Sequence, residues 1–343
     1  MPLFDLPPSE LAGYLGDLPE PEDFDAFWER TIAATRAFPL DLALAKVETP
    51  WWLVDTYDVS FAGFGGAPIK AWLTVPAGAT GPLPAVVQYH GHTRGRGFPH
   101  TDLLWATAGY AHFSMDNRGQ GSGSGGPGAG TPDPDAAAGL PHAPGYLTLG
   151  ITDPETFFYR RLYTDAARLL QAAAATELVD PARIIVTGAS QGGGIALAAA
   201  ALAAHVDVDL LGVAADVPYL CAFPRAVALA DRRPYDEVTA YLAAWRDRTE
   251  TVYRTLSYFD GALLGRRASA PALFSVGLMD RTCPPSSVYA AFNRYGARSA
   301  RPVEKSINVY GHNGHEGGGD YQTAAQAEFF ARLVHQAARR SHG

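Results

Sequence analysis

Arg183-Ile-Ile-Val-Thr-Gly-Ala-Ser190-Gln-Gly-Gly-Gly-Ile-Ala-Leu197 decides the fold of this chain. A β-branched run, Ile184 to Thr187, enters Gly188-x-Ser190-x-Gly192, and an Ala-rich helical run leaves it. Strand, sharp turn and helix in that order form the context of a nucleophile elbow. Such a turn strains the central residue, so its neighbours must be small on both sides. It lifts the serine hydroxyl above a sheet and sets the next backbone N–H at a helix N-terminus, where negative charge is stabilised. A bare G-x-S-x-G means little in a chain with 36 Gly. The flanking strand and helix make it specific.

Working outward, the first fifty residues read as an N-terminal extension. Pro19 to Asp23 give a turn-and-cap signal, and Phe24, Phe27, Trp28 and Ile32 recur at helical spacing through Arg36. Strand signals at Trp51 to Phe61 and Ile69 to Val75, joined through Gly63, Gly65 and Gly66, predict an antiparallel hairpin. Strands and helices then alternate. Strands are expected at Ala85–Tyr89, Ala111–Met115, Leu210–Ala215, Ala272–Val276 and Ser306–Tyr310. Helices are expected at Thr101–Thr107, Pro154–Ala175, from the elbow to Ala204, at Ser286–Tyr295 and at Tyr321–Ala338. This alternation specifies an α/β fold, a mostly parallel sheet covered on both faces, in one domain spanning 1–343. Two stretches break the pattern. Gly119 to Pro144 is dense in Gly, Pro, Ser and Asp and predicts a long irregular loop, while residues 217–268 supply two helical runs as a cap-like insertion.

The composition, 47% hydrophobic with 6 Trp, 16 Tyr and 16 Phe among 343 residues, supports a large core. A net charge of −8 argues against nucleic acid or an anionic membrane as partner. Two cysteines, Cys221 and Cys283, read as buried reduced thiols rather than a disulfide. The N-terminal residues lack a signal-peptide pattern and no apolar run is long enough to span a bilayer, so a cytoplasmic protein is expected.

A serine nucleophile needs a histidine base, and the histidine needs a carboxylate to fix its tautomer and orientation. In chain order the acid follows the serine and the histidine comes last. Asp280 sits just past the apolar strand Ala272–Val276, with Asp216 its main rival and Asp260 a weaker one. After the last strand, His312 and His315 both offer a base; spacing favours His315 modestly. Two oxyanion N–H donors are expected, one from Gln191 and one from His92 in the loop after Tyr89. His90-x-His92 with His312-x-x-His315 has metal-ligand spacing, but no acid lies beside His90 or His92, and a metal hydrolase has no use for the elbow. The reading is therefore without metal or cofactor. Tyr219, Phe223 and His92, placed after active-face strands, are expected to narrow the acyl pocket.

With these groups placed, the chain resembles the acetyl xylan esterase and cephalosporin C deacetylase family of α/β-hydrolases (carbohydrate esterase family 7-like). The likeness rests on Glu22-Asp-Phe-Asp-Ala-Phe-Trp28, Asp116-Asn-Arg-Gly-Gln-Gly121, Gly188-Ala-Ser-Gln-Gly192, Asp216-Val-Pro-Tyr-Leu-Cys221, Thr255-Leu-Ser-Tyr-Phe-Asp260, Phe274-Ser-Val-Gly-Leu-Met-Asp280 and His315-Glu-Gly-Gly. It implies nucleophile Ser190, base His315 over His312, acid Asp280 over Asp216, oxyanion donors Gln191 and His92, and supporting roles for Arg118 and Gln120. It also implies deacetylation of small esters, such as acetylated xylo-oligosaccharides or cephalosporin-type acetates, and a homo-hexamer whose active sites face an internal cavity. His92 departs from the family's usual tyrosine. The Gly123–Pro144 stretch and an insertion at Arg298–Pro302 are further departures. A peptidase or dienelactone-type hydrolase, or a non-catalytic binding protein on the same fold, are the alternatives.

Overall fold

The computed structural model describes residues 3–121, 130–134 and 142–341. Most of the expected Gly123–Pro144 loop lies outside the described residues. Nine strands form one sheet: β1 (Ala43–Val47), β2 (Val54–Ala62), β3 (Pro68–Pro76), β4 (Leu83–Tyr89), β5 (Ala111–Met115), β6 (Val179–Ala189), β7 (Leu210–Asp216), β8 (Ala272–Gly277) and β9 (Lys305–Tyr310). Their order across the sheet is β1-β2-β3-β5-β4-β6-β7-β8-β9. From β5 to β9 every neighbouring pair is parallel, while β1, β2 and β3 extend one edge in antiparallel fashion.

Side-chain alternation along the parallel strands fills two cores. Ala85, Val87, Ile184, Val186, Val213, Ala215 and Phe274 face one side, with the helices Phe24–Arg36, Phe158–Ala174 and Gln191–Leu202. Val86, Ile185, Ala214 and Leu273 face the other, packed against Trp105 and against Phe329, Phe330 and Leu333 of the C-terminal helix Gly319–Ser341. The chain passes from β4 to β5 on one side and returns to β6 on the other, so the sheet has its topological switch beside β4. Ligands bind in such sheets outside the carboxyl ends of the strands at that point.

Besides shifts of a few residues, such as the helix expected at Thr101–Thr107 that begins at Leu104 and the elbow strand that begins at Val179, sequence and structure differ as follows. β1 was not anticipated: it is an exposed edge strand, Ala-Leu-Ala-Lys-Val, with none of its residues buried and hence no core face to read. β2 starts at Val54, leaving Trp52 and Leu53 outside it and exposed. The long helix begins at Phe158 because Phe157 is extended (φ −64°, ψ 136°). Residues 217–268 fold into four α-helices, not two: Phe223–Leu229, Asp236–Ala244, Thr249–Ser257 and Gly261–Leu264. The N-terminal extension packs onto this insertion. Phe27 and Trp28 lie against Phe259, and Trp28 Nε1 donates to Tyr258 O (2.9 Å).

One buried ion-pair network ties the loop after β5 to the helix Phe158–Ala174. Arg118 donates bidentately to Asp165 (Nε to Oδ2 2.5 Å, Nη2 to Oδ1 2.7 Å), and both side chains are fully buried. Asp165 Oδ1 also accepts from Phe64 N (2.9 Å), and Arg118 and Arg161 share Asp133. Removing one member leaves a buried charge without its partner. Arg118→Met is therefore expected to lower unfolding stability by about 3–5 kcal/mol. Denaturant titration of both proteins checks this, and a loss under about 1 kcal/mol would show that the network is dispensable.

Candidate active site

β6 delivers Ser190 at its carboxyl end with φ 57° and ψ −120°, a conformation few non-glycine residues adopt. Small neighbours make this possible. A Cβ on Gly192 would stand 2.1 Å from Tyr89 O, and one on Gly188 would stand 2.4 Å from the Gly192 backbone. Backbone bonds lock the turn: Ser190 N donates to Asp216 O, and Ser190 O accepts from Tyr219 N, both at 2.9 Å. The helix Gln191–Leu202 starts at the next residue, so the Gln191 N–H is among the first-turn donors without an intrahelical acceptor.

The loops after β8 and β9 are stitched together by Leu278 N to Tyr310 O and Met279 N to Asn313 O, both 3.0 Å. That stitching brings Asp280 to His315. His315 Nδ1 lies 2.8 Å from Asp280 Oδ2, and His315 Nε2 lies 2.9 Å from Ser190 Oγ. Asp280 is fully buried, and its Oδ1 accepts from Thr282 N (2.8 Å) and Cys283 N (3.0 Å), which leaves Oδ2 for the imidazole. A carboxylate so placed sets the tautomer with Nδ1–H toward Asp280 and a basic Nε2 toward the serine.

The loop after β4 runs beside this triad and is held by the Asp116–Gln120 segment. Asn117 Nδ2 donates to His90 O (3.2 Å) and Arg94 O (2.9 Å), Asp116 Oδ1 accepts from Arg96 N (3.0 Å), and Gln120 Oε1 accepts from Thr93 N (2.8 Å). Gln120 and Gln191 pair through their amides at 3.1 Å in both directions. The His92 ring comes within 3.3 Å of Gln191 Oε1 through Nδ1, so both expected oxyanion residues meet by their side chains.

The structure thus brings together Ser190, Asp280, His315, Gln191 and His92, with Arg118 and Gln120 in support behind them. His312 is exposed, so the ring on the triad is that of His315. Tyr219 is buried with its ring 6.2 Å from His92. Phe223 packs on Tyr235 and lines a different cleft, of about 340 Å³, bounded by Leu18–Pro21, Tyr253 and Arg254, whose lining includes neither Ser190 nor His315. Asp260 is a structural acid: it accepts from Ala222 N, Phe223 N and Ala262 N at 2.9–3.0 Å, and burial pushes its carboxyl up to about 6. Sequence reasoning passed over Asp116, Asn117 and Glu237. The first two stood inside a quoted motif without a role. Glu237, buried 3.5 Å from His92, had no signal beyond being an acid in a helical run.

Metal ligation finds poor donors here. His90 is buried with Nε2 already engaged on Ser114 Oγ (2.7 Å). Asp280, Cys283 and His315 do place ligand-type atoms within 4.8 Å of one another. Two of those are bonded to each other, and burial pushes the Cys283 thiol well up, away from the thiolate that a metal takes. Both cysteines are free and buried.

A strained serine at a strand-to-helix turn, hydrogen-bonded through histidine to a buried aspartate on this sheet, is the arrangement of an α/β-hydrolase. The acetyl xylan esterase (AXE1) family profile matches residues 1–333, and the chain belongs to that family. Among solved structures it is similar to an acetyl xylan esterase from Paenibacillus sp. R4, with 36% identity and a TM-score of 0.86 over 95% of this chain and 99% of that one. It is also similar to acetyl xylan esterase 1 from Thermoanaerobacterium sp. JW/SL YS485, with 32% identity and a TM-score of 0.85 over 96% and 99%. The acetyl esterase Axe7A of Xylanibacter ruminicola is 24% identical over 286 residues, 80% of this chain but 60% of that protein's length.

Asp216, the rival acid, sits on the far side of the elbow without an imidazole. Its oxygens accept from Gln322 Nε2 (2.7 Å) and Gln326 Nε2 (2.5 Å), and burial pushes its carboxyl from 3.8 up to about 7. In the unfolded chain it ionises near 3.8, while the folded protein retains the proton to about 7. This group's contribution to folding stability is therefore fully present below pH 4, is lost between pH 4 and 7 by an amount on the order of 4 kcal/mol, and does not change above. Asp216→Asn is expected to remove that decline. Stability curves of both proteins from pH 4 to 8 check it, and parallel curves would contradict it.

Proposed function

We propose that this chain is a serine esterase that removes acetyl groups from small carbohydrate esters. The observation that carries the reading is the unbroken hydrogen-bond chain from Asp280 Oδ2 through both nitrogens of His315 to Ser190 Oγ. His315 Nε2 takes the serine proton as Oγ attacks the acetyl carbonyl. The oxyanion forms beside the backbone N–H groups of Gln191 and His92, preorganised by the helix start and by the clamped loop after β4. Imidazolium, oriented by Asp280, then protonates the departing alcohol. Water, deprotonated by the same nitrogen, attacks the acetyl-enzyme, and acetate leaves with Ser190 restored.

The narrowness of the acyl side is supported by Tyr219 and Tyr146, whose rings flank His92 edge-on. Acetylated xylo-oligosaccharides are the favoured substrates because the two full-length similar structures are acetyl xylan esterases. Cephalosporin-type acetates and a homo-hexamer belong to the same proposal and rest on the sequence resemblance; a cytoplasmic location is proposed with them.

Hydrolysis of p-nitrophenyl acetate, butyrate and octanoate by wild type and Ser190→Ala tests it. Acetate is expected to be preferred, and the variant to lose turnover by a factor on the order of 10⁶. A fluorophosphonate probe should label wild type alone. Serine-independent turnover would end the scheme. Labelling combined with amide or lactone cleavage and no ester cleavage would move the protein to a peptidase or dienelactone-type hydrolase, and no labelling would favour plain binding.

A further inference from the structure

The geometry points to Glu237 as the positioning residue of the oxyanion site. Its carboxylate, delivered by the helical insertion, holds the His92 ring and, through it, the two residues that supply the backbone N–H donors. This rests on the esterase reading above.

Glu237 belongs to the helix Asp236–Ala244, well away in sequence from every other group at the site, yet its side chain is almost completely buried. A buried carboxylate needs partners. Oε2 has one, accepting from Leu147 N at 2.8 Å. Oε1 accepts no hydrogen bond among the described residues and faces His92 Nε2 at 3.5 Å. The loop beside it is shaped to admit the carboxylate: a Cβ on Gly145 would stand 2.0 Å from Glu237 Cδ.

At the other end of the ring, Nδ1 lies 3.3 Å from Gln191 Oε1. Which Gln191 atom faces the ring is fixed by its surroundings. Gln191 Nε2 donates to His90 O and Gly91 O (both 3.3 Å) and to Gln120 Oε1, which leaves Oε1 as the acceptor toward His92, Tyr159 OH (2.9 Å) and Gln120 Nε2. Gln120 is itself oriented by Thr93 N. His92 therefore stands between two fixed acceptors, Gln191 on the nucleophile helix and Glu237 on the insertion, donating to both when each ring nitrogen carries a hydrogen and to one when the ring is neutral, with Tyr146 and Tyr219 edge-on against its sides.

The separation at Glu237 is long for a hydrogen bond, as such contacts often are before substrate binds. One donor comes from the start of the nucleophile helix and the other from the loop after β4, so their spacing depends on what joins them. Beside the Gln191 amide contacts to His90 O and Gly91 O, the His92 ring is a second join, and Glu237 holds the ring. Loss of that hold loosens the donors in the transition state while leaving ground-state binding alone, because the acetyl carbonyl is neutral until attack.

The test is a double-mutant cycle on p-nitrophenyl acetate with wild type, Glu237→Gln, His92→Phe and the pair. Glu237→Gln keeps the acceptor for Leu147 N, and His92→Phe keeps the backbone N–H and the bulk. Each single variant is expected to lower kcat by about 10- to 100-fold with KM within about twofold. Glu237→Gln in the His92→Phe background should change kcat by less than about twofold. Equal loss from Glu237→Gln in both backgrounds would overturn the inference, showing that Glu237 only supports Leu147. If Glu237→Gln does not fold, His92→Phe alone decides: kcat at the wild-type level means an idle ring and sinks the proposal. Fluorophosphonate labelling of Ser190 in each protein separates the two levels. Labelled sites with uncoupled variants reject Glu237 and leave the esterase reading standing, whereas an unlabelled, inactive wild type rejects both.

Discussion

Ser190 can hold φ 57° and ψ −120° because backbone, not side chains, surrounds it. Gly188 and Gly192 let β4, β6 and the nucleophile helix approach within distances that no Cβ tolerates, and Asp216 O and Tyr219 N close the turn on either side. Strain of this kind persists only where the surroundings over-determine it. The sheet supplies that over-determination. β4, β6 and β7 are parallel neighbours in register, Tyr89 opposite Gly188 and Ala189 opposite Asp216, so three strand ends converge on one residue. Position of the hydroxyl, availability of the Gln191 N–H and the path of the loop after β4 all follow from that convergence.

Behind the serine lies a polar layer rather than an apolar one. Gln191, fully buried at the start of the helix, bonds to Gln120, Tyr159, two carbonyls of the β4 loop and His92. The same β4 loop is gripped by Asp116 and Asn117, and the next residue, Arg118, anchors the whole segment to Asp165. A layer so densely cross-linked by hydrogen bonds is rigid, and rigidity is what an oxyanion site requires of its dipoles. The run Asp116-Asn117-Arg118-Gly119-Gln120 is thus one device: successive side chains fix the loop, the loop fixes a donor, and the ion pair fixes the device to the core.

What the sequence disclosed follows the same physics. The elbow, the parallel strands and the order Ser190, Asp280, His315 were legible because each is a local pattern: β-branched runs, glycine next to serine, an acid or histidine just past a strand. Edge strand β1 left no trace because none of its residues is buried. The insertion was legible as helical but not as four short helices, since Pro234 and the three-residue turn at Arg246–Arg248 break it at spacings that periodicity over longer windows averages out. Phe223 followed an active-face strand, yet the left-handed turn at Leu220 and Ala222 aims it toward Tyr235 instead. Glu237 was invisible in principle. Its partner is 145 positions away, and nothing local distinguishes an acid that will be buried from one that will be solvated.

Three aspartates end up buried near the carboxyl ends of β7 and β8, and they show how one residue type takes different roles. Asp260 is ringed by backbone N–H groups and braces the turn that starts the insertion. Asp216 faces two glutamine amides across the sheet, and burial drives both of these carboxyls toward the neutral form. Asp280 differs in its partner: two backbone N–H groups occupy one oxygen, and an imidazole that can become a cation occupies the other. A carboxylate with that partner gains interaction energy as the ring is protonated, whereas the other two are bonded to neutral backbone or amide N–H groups. Chain order puts all three acids after the serine. The loop after β9, held to the loop after β8 by Leu278 and Met279, selects among them by reaching one.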